Sequence, residues 1–287
     1  MVTTQLLQVS TIEEVRKYIQ RVRKEGKRIG FVPTMGYLHE GHISLVQAAR
    51  AACDVVVMSI FVNPLQFGPN EDFERYPRDL ERDRELAANA GVDLLFTPDV
   101  KEMYPRKVVT TVSVAEVSEP LCGKSRPGHF DGVATVVMKL FQIVQPDAAF
   151  FGQKDAQQLA VISRMVEDLS VPVEIVPCPI VREADGLALS SRNVYLTPEE
   201  RKQAVVLFRS LKLAEALLAT GTPLREIREQ MTAMIKAEPL AEIDYVEVMK
   251  YPELVSAEHA EKGERICFAL AVRFGRTRLI DNWITTV

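Results

Sequence analysis

Five short segments of this 287-residue chain gather residue types whose chemistry goes beyond packing. The first, Val32 to His42 (VPTMGYLHEGH), sets His39 and His42 three apart, so both imidazoles can project toward one side of a helical turn and supply hydrogen bonds or positive charge. Gly36 and Gly41 let backbone approach a ligand closely, and unpaired N–H groups at a helix start attract phosphate. An isolated H-x-x-H is equally a pair of solvated histidines on a surface turn. Zinc fits less well: a zinc helix spaces its histidines four apart with Glu directly after the first. Here Glu40 follows His39, but the spacing is three and Gly41 intervenes.

The second segment, Phe61 to Phe67 (FVNPLQF), offers Asn63 and Gln66, neutral amides that can both donate to and accept from a hydroxyl or carboxylate, although by itself the segment reads as a turn. The polar, proline-bounded residues 68–79 that follow read as a mobile surface loop or lid. Ser125 to Val133 (SRPGHFDGV) gathers Arg126, His129 and Asp131 ahead of a helix, as a capped loop or a ligand contact. Phe150 to Gln158 (FFGQKDAQQ) sets Gly152, Lys154 and Asp155 where a helix begins; the lysine suits phosphate as a point charge, and the aspartate is also a common helix cap. Leu187 to Asn193 (LALSSRN) holds two hydroxyls beside a guanidinium, a set suited to phosphate but ordinary in a loop. Taken together they supply cationic and neutral donors for a nucleoside triphosphate. Neither G-x-x-x-x-G-K-[ST] nor G-x-G-x-x-G occurs, so neither a Walker ATPase nor a dinucleotide dehydrogenase is indicated.

The elements that would position these segments follow from hydrophobic pattern. Ile12, Val15, Ile19 and Val22 form the stripe of an amphipathic helix over 11–25, capped by Ser10 or Thr11 and ended by Gly26. Ile29 to Val32, Asp54 to Val62 and Val92 to Phe96 are continuous apolar runs, as in strands covered on both faces. Helical segments Gly41 to Cys53 and Arg78 to Ala90 lie between them. The alternation resumes with helix Gly132 to Gln145, strand Ala148 to Phe151, helix Ala156 to Leu169 and strand Val173 to Val176. This order predicts an α/β, Rossmann-like, doubly wound parallel sheet whose ligands sit beyond the carboxyl ends of the strands. After Val181 to Asn193 the character changes to helices Pro198 to Ala219 and Leu224 to Ala237, then strands near Ile243 to Met249 and Ile266 to Phe274. A smaller α+β unit is expected there, with the boundary near 183, dividing the chain into 1–183 and 184–287.

Composition narrows the partners. Lys plus Arg is 35 against Asp plus Glu at 39, a balance of −4, so no global positive field exists to hold nucleic acid. The longest apolar stretch, Val55 to Val62, has eight residues, far short of the ~20 that span a bilayer. The N-terminus reaches Glu13 before any basic residue and lacks a long apolar run, so a cytoplasmic protein without a secretion signal is expected. Cys53, Cys122, Cys178 and Cys267 form no C-x-x-C pair and read as buried thiols.

The segments VPTMGYLHEGH, FVNPLQF, RPGHFDGV, FFGQKDAQQL and LALSSRN, in this order and spacing, closely resemble the pantothenate synthetase (pantoate–β-alanine ligase) family over residues 28–198. His39 to His42 resembles its form of the H-x-G-H nucleotidyl-transfer signature, shared with class I aminoacyl-tRNA synthetases. The resemblance implies an ATP-dependent, AMP-forming ligase. Pantoate would attack the α-phosphorus of Mg2+-bound ATP to give pantoyl adenylate and pyrophosphate, and β-alanine would then displace AMP. It implies His42 as proton donor with His39 assisting, and Met35 and Gly36 lining the nucleotide site. Lys154 would bind phosphate, with Gly152 and Asp155 on the ribose side and Gln153 among the nucleotide-binding residues. Val181 would contact adenine and Leu189 would be among the nucleotide-binding residues, while Ser190, Ser191 and Arg192 close over the phosphates from a C-terminal lid domain. Gln66 and Gln158 would grip pantoate, with Gln66 also near β-alanine, and residues 68–82 would gate the site against water. The resemblance further implies a homodimer and leaves the Mg2+ ligands unassigned.

Two rival readings share these residues. A nucleotidyltransferase acting on a phosphorylated acceptor would release pyrophosphate only with such a substrate. A regulatory nucleotide-binding module would bind ATP without turnover, and the retention of His39, His42, Lys154 and Arg192 speaks against it.

Overall fold

The computed structural model describes residues 6–69 and 71–287. The N-terminal Met1 to Gln5, part of the stretch weighed above as a leader, and Asn70 in the expected lid lie outside the described residues. The chain folds into two compact units, one of residues 1–114, 126–153 and 161–179, the other of 115–125, 154–160 and 180–287.

The first unit contains strands β1 (Leu7–Val9), β2 (Ile29–Thr34), β3 (Val55–Ile60), β4 (Leu94–Phe96), β5 (Ala148–Gly152) and β6 (Glu174–Cys178). They form one parallel sheet in the order β1-β4-β3-β2-β5-β6, the expected doubly wound arrangement. Helices α1 (Ile12–Lys24), α2 (Glu40–Ala52), α3 (Leu80–Ala90), α4 (Val100–Met103) and α6 (His129–Val144) belong with this sheet. Thr11, the second of the two expected caps, starts α1 with a reciprocal pair of hydrogen bonds to Glu14, and Val15, Ile19 and Val22 are buried. Strand alternation sorts the core onto two faces. Phe31 and Phe151 each pack edge-on to Phe141 of α6 at 6.5 Å, while Val32 and Phe150 join Leu45, Val46 and Ala49 of α2. Because β3 lies on one side of β2 and β5 on the other, the connections leaving β2 and β5 diverge, which opens a crevice at their carboxyl ends.

The second unit holds α5 (Cys122–Ser125), the first turn of α7 (Ala156–Asp168), helices α8 (Pro198–Ala204), α9 (Val206–Ala219) and α10 (Leu224–Lys236), and the antiparallel sheet β7 (Ala241–Lys250), β8 (Arg265–Phe274), β9 (Thr277–Thr286). Its core joins Leu207, Leu211, Ile227 and Met231 of the helices to Phe268, Leu270 and Val272 of β8. The single helix expected over 198–219 is interrupted at Val205, which keeps right-handed dihedrals (φ −61, ψ −18), so the chain does not change hand. β1 and β9 were not among the expected strands. Three residues are too few to show a period, and β9 (TRLIDNWITT) buries Asp281 and Asn282, so its polar pattern hides a core strand.

Candidate active site

The turn leaving β2 is shaped by backbone needs before any ligand is considered. Thr34 Oγ1 donates to Ser59 O (2.8 Å) and accepts from Gly36 N–H (3.2 Å). Gly36 has φ +85, and a Cβ there would stand 2.9 Å from Ile60 Cγ2 and 3.0 Å from Asp83 Oδ2, so glycine alone fits. Asp83 of α3, almost fully buried, accepts from Tyr37 N–H at 2.7 Å and Leu38 N–H at 2.6 Å. Burial pushes its carboxyl up, and those two N–H groups pull it back. Asp83 thereby pins the turn that carries the histidines.

His39 caps α2. Its Nδ1 accepts from Gly41 N–H (3.1 Å), and His42 Nδ1 accepts from His39 N–H (3.3 Å), with the two ring centroids 4.1 Å apart. A neutral imidazole that accepts at Nδ1 carries its proton at Nε2. The capping arrangement therefore turns both rings into Nε2–H donors at a helix N-terminus, where the backbone already favours negative charge.

Beyond β3, Asn63 is spent on structure. Its Oδ1 accepts from Leu65 N–H and the Tyr104 hydroxyl, and its Nδ2 donates to Gln66 Oε1 and Gly132 O. Of the two readings of this segment, Asn63 follows the structural turn. Gln66, in a 3-10 turn over Pro64–Gln66, points Nε2 at Met35 Sδ (3.0 Å), which joins it to the β2 turn. Arg126 grips both oxygens of Glu71 at 2.7 and 2.5 Å and lies 3.0 Å from His129 Nε2, while His129 Nδ1 meets Gln66 O at 2.8 Å. Burial alone would raise the Glu71 carboxyl, but the Arg126 guanidinium more than offsets it and holds the group below its ordinary value. Glu71 of the expected lid is thus tied through Arg126 and His129 to Gln66.

In the second unit, Lys154 Nζ lies 3.5 Å from Asp155 Oδ2, with both side chains partly open to solvent. Gly152, the last residue of β5 in the first unit, has open space where a Cβ would sit, and Gln153 follows it. Gln157 is consumed internally by Cys122 N–H, Val117 O and Pro120 O, whereas its neighbour Gln158 is half-buried on the first turn of α7. Val181 and Leu189 are joined across a hairpin by Leu189 N–H donating to Val181 O (3.0 Å). Ser190 Oγ accepts from Arg192 N–H (3.2 Å) and caps a 3-10 turn over Ser191–Tyr195, in which Ser191 is buried.

The fold therefore brings Met35, Gly36, His39, His42 and Gln66 together in the first unit. In the second it sets Val181, Leu189, Ser190, Ser191 and Arg192 on one hairpin and the turn that follows it. Asp83, Glu71, Arg182, Asp281 and Asn282 were missed by sequence reasoning. A signal existed for Asp83, which occupies the inward stripe of α3 with Ala87. Among the described residues no group of three or more His, Cys, Asp or Glu side chains is arranged to hold a metal ion.

Comparison with known proteins gives a consistent result. The family described as Pantoate-beta-alanine ligase matches residues 7–284. A pantothenate synthetase of Caldicellulosiruptor saccharolyticus is 56% identical over 280 residues, covering 97% of this chain and 99% of its own. One from Acetivibrio thermocellus is 59% identical over the same length and shares. Among solved structures, pantothenate synthetase from Thermus thermophilus superposes with a TM-score of 0.91 at 50% identity, covering 96% of this chain and 98% of that one. A pantoate-beta-alanine ligase from Francisella tularensis, complexed with beta-gamma ATP and beta-alanine, gives 0.80 at 36% identity over 97% of each chain.

Proposed function

The chain belongs to the pantoate-beta-alanine ligase family, and on that premise we propose how its residues carry out the ATP-dependent joining of pantoate to β-alanine. In the first step a pantoate carboxylate oxygen forms a bond to the α-phosphorus of ATP, the bond to the β-phosphate oxygen breaks, and pyrophosphate leaves. In the second, the β-alanine amine attacks the carbonyl carbon of pantoyl adenylate and expels AMP, with the amine proton passing to solvent.

The observation that carries this reading is the pair of Nδ1 acceptors in the α2 cap, which leaves His39 and His42 as Nε2–H donors. Charge accumulates on the phosphoryl oxygens during in-line displacement, and donors fixed before the reaction stabilise it more than they stabilise the ground state. His42 is the proposed proton donor, with His39 beside it. Met35, Gly36, Gln153 and Leu189 line the nucleotide, Gly152 and Asp155 serve the ribose side, and Val181 the adenine. Lys154, Ser190, Ser191 and Arg192 hold the phosphates. Gln66 and Gln158 orient pantoate, a role supported for Gln66 by its rigid setting against Met35 and His129. Residues 68–82 shield the acyl adenylate, which the Glu71–Arg126 pair supports. Mg2+ enters with the nucleotide as MgATP, in keeping with its habit of binding substrate phosphates and water rather than an all-protein cage.

We also propose a homodimer in the cytoplasm, the latter supported by four free, buried thiols. The test is direct: MgATP plus pantoate should release pyrophosphate, and added β-alanine should yield AMP and pantothenate. Formation of ADP, or pyrophosphate release only with a phosphorylated acceptor, would overturn the proposal.

A further inference from the structure

Strand β9 buries two adjacent polar residues, Asp281 at 2% exposure and Asn282 at 4%. Polar side chains in a strand interior are costly unless their hydrogen bonds are made. Here each side chain bonds to a segment assigned above to phosphate. Asp281 takes a two-pronged guanidinium from Arg182, Nη1 to Oδ2 at 2.6 Å and Nη2 to Oδ1 at 2.9 Å. Arg182 sits in the hairpin that delivers Ser190 to Arg192: it bridges to Ala188, its Nη1 donates to Gly186 O (3.1 Å), and its guanidinium stands 4.7 Å over the Phe208 ring. The turn of that hairpin packs closely on α9, where a Cβ at Gly186 would meet Phe208 Cδ1 at 1.9 Å. One residue along β9, Asn282 Nδ2 donates to Lys154 O at 2.9 Å. Successive residues of a strand point to opposite faces, so the two neighbours hold two separate segments from one rigid strand.

We infer that Asp281 and Asn282 are positioning residues that set the Lys154 backbone and the Ser190–Arg192 hairpin at a fixed separation for binding the triphosphate. The inference rests on the proposed assignment of Lys154 and Arg192 to phosphate. It differs from a purely stabilising role, since a buried ion pair is often replaceable by apolar residues without loss of stability.

The test uses the full-length enzyme with Asp281→Asn and Asn282→Ala, following pyrophosphate release with MgATP and pantoate, AMP release from supplied pantoyl adenylate and β-alanine, and thermal unfolding. Displacement of a binding group by about 1 Å costs up to about a hundredfold in rate, so adenylation should fall about tenfold to a hundredfold. The second half-reaction should fall at least about tenfold less. Asn282→Ala removes the side-chain hydrogen bond to Lys154 O and remains informative should Asp281→Asn fail to fold. Equal losses in both half-reactions, tracking the folded fraction, or no loss in either, would overturn the inference. Lys154→Ala and Arg192→Ala in the same assay separate the two levels. If they leave adenylation intact, the phosphate assignment falls and the inference with it. If they abolish adenylation while the β9 variants do not impair it selectively, only the inference falls.

Discussion

Replacing Gly132 by Ala should damage pantoate use far more than it damages the fold. Gly132 lies in the first turns of α6, against the 3-10 turn that carries Gln66. A Cβ there would stand 2.3 Å from Leu65 O, 2.5 Å from Leu65 C and 2.7 Å from Gln66 Cα. Ordinary contact begins at 3.4 Å, so the shortfall to Leu65 O is about 1.1 Å, and every atom in the way is backbone that cannot rotate aside. Two stability terms oppose each other: overpacking costs about 1–3 kcal/mol, while alanine gains about 1 kcal/mol over glycine in a helix interior. On these typical values the net loss reaches about 2 kcal/mol, and thermal unfolding of the variant measures it directly. The catalytic term has no such offset, because Gln66 must move by about 1 Å, which costs up to about a hundredfold. Steady-state pyrophosphate release should show kcat/KM for pantoate down tenfold to a hundredfold, with KM for ATP changed less than about threefold. A Gly132→Ala enzyme with wild-type kcat/KM for pantoate would show that the close approach of α6 does not set Gln66.

Four further outcomes are expected. Lys154→Ala should lower single-turnover adenylation by about 10²-fold or more with little change in Tm, since it deletes one preorganised donor. Glu71→Gln should raise KM for pantoate several-fold, as Arg126 loses a charged partner worth about 1–3 kcal/mol. The pH dependence has a definite sign: the folded Glu71 carboxyl lies below its ordinary value, so its stabilisation is full above about pH 4.3 and is lost as pH falls through the folded value. Hydrogen exchange over residues 71–76 should accelerate in acid, and exchange independent of pH beyond the intrinsic chemistry would contradict the latch. Lastly, burial pushes the Cys267 thiol up to about 12 and all four thiols are buried and free, so a disulfide reagent at pH 8 should label the native protein far more slowly than the denatured chain. Rapid native labelling of Cys267 would refute that burial.

Much of this molecule was legible in the order of its residues. Continuous apolar runs alternating with helical stripes specified a parallel doubly wound sheet, because strands covered on both faces tolerate nothing else. The histidine turn, Lys154 and the SSR stretch stood out as charge-bearing types clustered beside glycine, and family likeness supplied their roles. Tertiary structure decided which polar side chains are available. Asn63 offers a recognition amide in sequence, yet it spends its hydrogen bonds inside the fold, as Gln157 does beside Gln158. Asp83, Asp281 and Asn282 carry no local signature of comparable strength, yet they pin the turn and the hairpin. The reason is physical: periodicity reports which face of an element is buried, whereas a hydrogen-bond partner 45 or 128 residues away is set only when the chain has packed.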